Sequence, residues 1–106
     1  MIIGVAGPYS AETENEQKSN LEAMNAAAAR LLERGHVPVI GMNAALPVVD
    51  KANISDRYKA IMDISLAVIS ACDAILILGE SKGVAMERAL IESKGLPVYY
   101  SLNEVS

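Results

Sequence analysis

Short apolar runs alternate with amphipathic segments along the whole chain, and this alternation restricts the fold more than any other feature. Ile2 to Ala6 is an apolar run ended by Gly7-Pro8, which predicts a buried strand with a sharp exit. Leu21, Met24, Ala28, Leu31 and Leu32 then recur at helical spacing. Glu12, Glu14 and Glu16 precede them and Arg30 and Arg34 lie near the end, which complements a helix dipole, and Gly35 supplies the stop. Val37 to Ile40 is the second strand, and Gly41 to Asn53, which carries Pro47, is expected to be an irregular connection. From about Ser55 to Ser70 a helical stripe returns in Tyr58, Ile61, Met62, Leu66 and Ile69. Asp73 to Leu78 reads as a third buried strand, Lys82 to Lys94 as a helix closed by Gly95, and Pro97 to Ser101 as a last strand.

Buried strands separated by helices require right-handed crossovers and a parallel sheet covered on both faces. The expected architecture is therefore α/β: a flavodoxin-like or Rossmann-like three-layer fold with a small parallel sheet of about four strands, formed by residues 1–106 as a single domain. A chain of 106 residues buries roughly two-thirds of its unfolded surface. Phe and Trp are absent, so Val, Ile, Leu, Ala and Met must fill the core. In such sheets ligands collect beyond the carboxyl ends of the strands, here the loops Gly7 to Ala11, Gly41 to Asp50 and Gly79 to Gly83.

Charge and composition narrow the partners. The net charge is −4 and the basic residues are scattered, which argues against a nucleic-acid polymer. Cys72 is the only cysteine and His36 the only histidine, too few for an internal disulfide or a closed zinc site. No run approaches the ~20 apolar residues that span a membrane, and Met1 to Gly7 lacks the basic lead of a secretory signal, so a cytoplasmic protein is expected.

Two places carry chemistry. Gly79-Glu80-Ser81-Lys82-Gly83 leaves a buried strand and opens a helix, so free backbone N–H groups and a hydroxyl point outward, as an anion or phosphate requires. The same residues also describe an ordinary turn with Ser81 as N-cap. At about 100° per residue, Glu87 falls between the directions of Leu90 and Ile91, interrupting an apolar arc. A carboxylate held there acquires a perturbed pKa and serves as nucleophile or base; the alternative is a glutamate that reaches solvent near a helix start. Asp63 lies on a polar strip with Asp56, Lys59 and Ser70 that a solvated face explains. Asp73 reads as a turn residue, His36 as a loop residue and Cys72 as a small buried hydrophobe.

Taken together, Ala6-Gly7-Pro8-Tyr9-Ser10, Asp63 ahead of Asp73, and Ser81-x-Gly83-x-x-x-Glu87 followed by Gly95-Leu96-Pro97-Val98 resemble the nucleoside 2-deoxyribosyltransferase superfamily. The resemblance spans nearly the whole chain, is closest to the short members and extends to the 2'-deoxynucleoside 5'-phosphate N-hydrolases. It implies that Glu87 attacks C1' of the sugar to give a glycosyl-enzyme, and that Asp63 is the carboxylate that positions sugar and nucleophile. It also implies that Ser81 and Gly83 hold a 5'-phosphate, while Gly7, Pro8, Tyr9 and Ser10 line the base and sugar pocket. The implied partner is a small-molecule nucleoside or nucleotide, with no cofactor or metal, on a homo-oligomer. Gly4 stands where many relatives have a tyrosine, and the chain stops at Ser106, whereas longer relatives send C-terminal residues into a neighbouring site; Tyr9, Tyr58 and Asn103 are the candidate replacements. These departures motivate two alternatives, a non-catalytic nucleotide-binding or regulatory module and an oligomerising scaffold.

Overall fold

The computed structural model describes residues 1–106. Strand β1 (Ile2–Ala6) leads into helix α1 (Glu14–Glu33), followed by β2 (Val37–Val39), α2 (Gly41–Val49), α3 (Arg57–Ile69), β3 (Ala74–Ile77), α4 (Lys82–Ser93), β4 (Val98–Tyr99) and a short 3-10 turn over Leu102–Glu104. The four strands form one parallel sheet in the order β2-β1-β3-β4, so the α/β flavodoxin-like architecture expected from the sequence is the one observed. No helix is long and apolar enough to cross a membrane.

Residues alternate across the two faces of the sheet, as the pleat demands. Ile3, Val5, Ala74 and Leu76 point to one side and pack with Met24, Ala27, Ala28 and Leu31 of α1. Ala6, Ile75 and Ile77 point to the other and pack with Ile69 of α3 and Val84 and Ile91 of α4. Three of the four helices begin at a capping side chain: Thr13, Asp56 and Ser81 cap α1, α3 and α4 by accepting from the N–H groups of Glu16, Lys59 and Val84, whereas α2 starts after Ile40 with no side-chain cap. Gly35 and Gly95, with φ of 91° and 70°, end α1 and α4 as their positions in the sequence suggest.

The expectation of an irregular connection over Gly41 to Asn53 is corrected: Gly41–Val49 is helical, with Pro47 inside it. Proline opposes a helix interior by ~3 kcal/mol through its missing N–H and the clash of its ring. Here Ala45, Leu46 and Val49 are buried, and α2 lies against α3, so tertiary packing outweighs the local penalty. Asp73 has more than a turn to make: its carboxylate accepts from the N–H of Ile2 at 2.7 Å, and its own N–H donates to the Ile2 carbonyl at 2.7 Å, locking the register of β1 beside β3.

Gly4 explains itself once the layers are in place. It faces α3, and a Cβ there would lie 2.5 Å from Cδ1 of Ile69 and 3.3 Å from Sγ of Cys72. A tyrosine at this position would have to displace the α3 packing. Because the nearest atom is the terminal methyl of Ile69, which can rotate aside, Gly4→Ala is expected to cost no more than about 1 kcal/mol in urea unfolding, and Gly4→Tyr, whose ring reaches past that methyl into the α3 packing, about 3 kcal/mol or more; equal stability of Gly4→Tyr and the parent would contradict this packing.

Candidate functional site

The chain crosses from β1 to β2 in one direction and from β2 to β3 in the other, so the connections diverge above β1 and β3. A cavity of about 650 Å³ opens there. The loop after β1 contributes Gly7, Pro8, Tyr9 and Ser10, and the start of α4 contributes Ser81, Lys82, Gly83 and Val84. Glu87 lines the same cavity one turn further along α4. Arg57, Tyr58, Ile61 and Met62 of α3 face it across the opening, and Gln17 and Met42 complete the wall.

Both loops are held by side chains behind them. Asn20 Nδ2 donates to the carbonyl of Tyr9 at 3.1 Å and Gln17 Nε2 to that of Ala11 at 3.2 Å, which pins the first loop to α1. In the second, Arg88 forms a two-pronged pair with Glu80 at 2.7 and 2.8 Å, tying the turn to α4 and holding the Glu80 carboxyl below its usual range. Ser81 Oγ accepts from the N–H of Val84 at 3.1 Å. This is the capping role, and it leaves the hydroxyl proton of Ser81 and the first N–H groups of α4, at Lys82 and Gly83, without intrahelical partners beside the cavity.

Cationic groups border this helix start. Lys82 Nζ lies 5.7 Å from the centre of the Tyr58 ring, and Arg57 pairs with Asp50 at 2.7 Å where both are half exposed. Such solvated contacts contribute little, roughly 0–1 kcal/mol, so both cations can turn to a ligand at small cost.

Glu87 is only 7% exposed although it is charged in its ordinary state. Burial pushes its pKa from the ordinary 4.5 up to about 7, partly offset by the hydroxyl of Ser65, which donates to Oε2 at 3.3 Å. Ser65 is itself 1% exposed, and these two are the only polar side chains in the core. Cys72, by contrast, is an inert buried thiol, its pKa pushed up to about 11 by burial and by Asp73.

Of the residues singled out in the sequence, Glu87, Gly7, Pro8, Tyr9, Ser10, Ser81 and Gly83 come together around one cavity. Asp63 does not join them. It stands on the exposed side of α3, paired with Lys59 at 2.7 Å. Two residues on, a turn of about 200° carries Ser65 to the inner face. Ser65 was legible in principle, since it sits three residues after Met62 and four before Ile69 on the apolar stripe, where a hydroxyl needs a partner. Lys82 belongs to the turn already singled out, but Arg57, Gln17 and Met42 carry no comparable signal; only the meeting of distant chain segments makes them neighbours.

The buried carboxyl makes stability depend on pH. Folded Glu87 holds its proton more tightly than the unfolded chain does, so its contribution is most favourable below about 4.5 and is lost as pH rises through about 7. The difference amounts to roughly 3 kcal/mol. Urea unfolding between pH 4.5 and 8 should show this loss in the parent and a flatter profile in Glu87→Gln; parallel profiles would show that Glu87 is not the group responsible.

A comparison with curated proteins returns no match. Residues 1–100 match a family described as a domain of unknown function, DUF4406, and the chain belongs to that family.

Proposed function

We propose that this protein cleaves the N-glycosidic bond of nucleosides or nucleoside 5'-monophosphates, with Glu87 as nucleophile. The observation that carries the proposal is a nearly buried carboxylate lining a substrate-sized cavity, next to a helix start with unpaired N–H groups and two flanking cations. Cavities of this volume suit ligands of nucleotide size. Tyr9 and Tyr58 offer aromatic faces to a base. The Ser81 hydroxyl, the N–H groups of Lys82 and Gly83, and the side chains of Lys82 and Arg57 suit a phosphate.

In this proposal a carboxylate oxygen of Glu87 attacks C1' as the bond to the base breaks. The base leaves with the bonding electron pair and takes a proton from water. Water attacking C1' of the glycosyl-enzyme then returns the free carboxylate and yields the sugar or sugar phosphate; a second base attacking instead gives exchange. The phosphate-accepting turn favours hydrolysis of the monophosphate over exchange between free nucleosides. The enzyme works in the cytoplasm as a homo-oligomer and draws on free nucleosides or nucleotides. No nucleic-acid polymer, membrane, metal or cofactor enters the proposed reaction.

A second reading, a nucleotide-binding or regulatory module without turnover, draws support from one observation: Glu87 is the only acidic residue lining the cavity. One experiment separates the two. The parent and Glu87→Ala are incubated with a panel of nucleosides and 5'-monophosphates, with and without a second free base, and base release is followed by chromatography. The expected result is release by the parent, strongest with a monophosphate, and a loss of at least a thousandfold in Glu87→Ala with its fold retained. Turnover unchanged in Glu87→Ala would overturn the assignment, and saturable binding without release would establish the regulatory module. Since Glu87 must be ionised to attack, kcat/KM should fall on the acid side with a midpoint near 7.

A further inference from the structure

Ser65 has no task in the reaction as written, yet its surroundings are unusually constrained. A hydroxyl at a fully buried position on α3, between Met62 and Ile69, is unfavourable unless it is bonded. Its one hydrogen bond runs to Oε2 of Glu87 on a different helix. On its other side stands Gly41, the first residue of α2, where a Cβ would fall 1.9 Å from Ser65 Oγ and 2.9 Å from Ser65 Cα. Only glycine fits beside this serine, so the backbone of α2 closes off the space behind the hydroxyl.

The same contact divides the two oxygens of Glu87. Oε2 accepts from Ser65. Oε1 has no hydrogen-bond partner in the protein, and no buried side-chain oxygen or nitrogen is left unsatisfied, so Oε1 opens to the cavity that Glu87 lines. The other titratable groups around that cavity are Tyr9 after β1, Arg57 and Tyr58 of α3 and Lys82 of α4, and none of them bonds to the carboxylate. Cys72, below α3, feels the charge of Glu87 without contacting it through a hydrogen bond.

We propose that Ser65, wedged against Gly41, is the positioning residue for Glu87: it anchors Oε2 at the back of the cavity and leaves Oε1 as the attacking oxygen. The chemical consequence rests on the N-glycosidase reading, whereas the anchoring itself does not. A donor of this kind favours the ionised carboxylate, opposing the effect of burial, and removes the freedom of the carboxylate to turn away from C1'. It also gives α3 a link to the site through a neutral hydroxyl, while Asp63 faces solvent.

The test follows the titration of the Glu87 side-chain carboxyl by 13C NMR in the parent, Ser65→Ala and Ser65→Cys, alongside kcat and KM for whichever substrate the panel identifies. Ser65→Ala removes one oxygen and leaves the packing otherwise intact. Its midpoint should rise by about one pH unit, and kcat at pH 7 should fall about tenfold or more with KM within about twofold. Ser65→Cys, which keeps a weaker donor on the same carbon, should lie between the two in both readouts and provides a second measure if the alanine variant folds poorly. A midpoint unmoved in both variants, or a KM change without a kcat change, would overturn the positioning role. A midpoint that moves in a protein whose parent form releases no base would overturn the N-glycosidase reading while confirming the anchoring of Glu87 by Ser65.

Discussion

Along the parallel pairing of β1 with β3, Ile3 to Ala6 run beside Ala74 to Ile77, and nearly every side chain in both strands is closed to water. The two strands occupy the centre of the sheet, and the crossovers that leave them go to opposite sides. This brings the loop after β1 and the turn after β3, which are distant in sequence, to one cleft. The carboxylate of Asp73, bonded to the N–H of Ile2, holds that register at the far end. A slip of one residue would turn Ile3 and Val5 toward α3 and α4 and leave Gly4 facing α1, so the hydrophobic pattern and the site depend on the same alignment.

Within the cleft, electrostatics work against stability. Burial keeps the Glu87 carboxyl partly protonated near neutrality, a state that the unfolded chain would abandon well below pH 7. A protein selected only for a stable core would gain from a hydrocarbon at this position. Around the cleft the structure supplies opposite charge at the mouth, through Arg57 and Lys82, and a neutral hydroxyl at the back, through Ser65. Cations outside and a carboxylate inside give the cavity two chemically distinct ends, and this polarity is what supports the proposed reaction.

Much of this was written locally. The strands are short apolar runs bounded by turn residues, and helix starts at Thr13, Asp56 and Ser81 follow from side chains that cap them. The 3.6-residue period of α4 sets Glu87 on the apolar arc, while its burial, which the pattern left open against a solvent-reaching glutamate, is decided by the packing. Where local signals conflict with packing they mislead: Pro47 suggests a break, but the burial of Ala45, Leu46 and Val49 against α3 sustains a helix around it. The difference between Asp63 and Ser65 is likewise one of direction. Two residues on a helix point to nearly opposite sides, and the stripe that should have singled out Ser65 is dominated by its larger neighbours Met62, Leu66 and Ile69.

The sequence by itself determined the α/β alternation, the sheet's parallel sense, the loops that line the cavity and the one carboxylate set among apolar residues, because periodicity and turn chemistry act over a few residues. Only the tertiary structure decided what surrounds that carboxylate. Ser65 reaches Glu87 across the α3 and α4 packing, Gly41 fits behind Ser65 because α2 is helical, and Arg57 arrives at the cavity from the start of α3. These contacts join segments far apart in the chain, and their geometry is set by how closely three helices pack over the sheet, a quantity that no local pattern encodes.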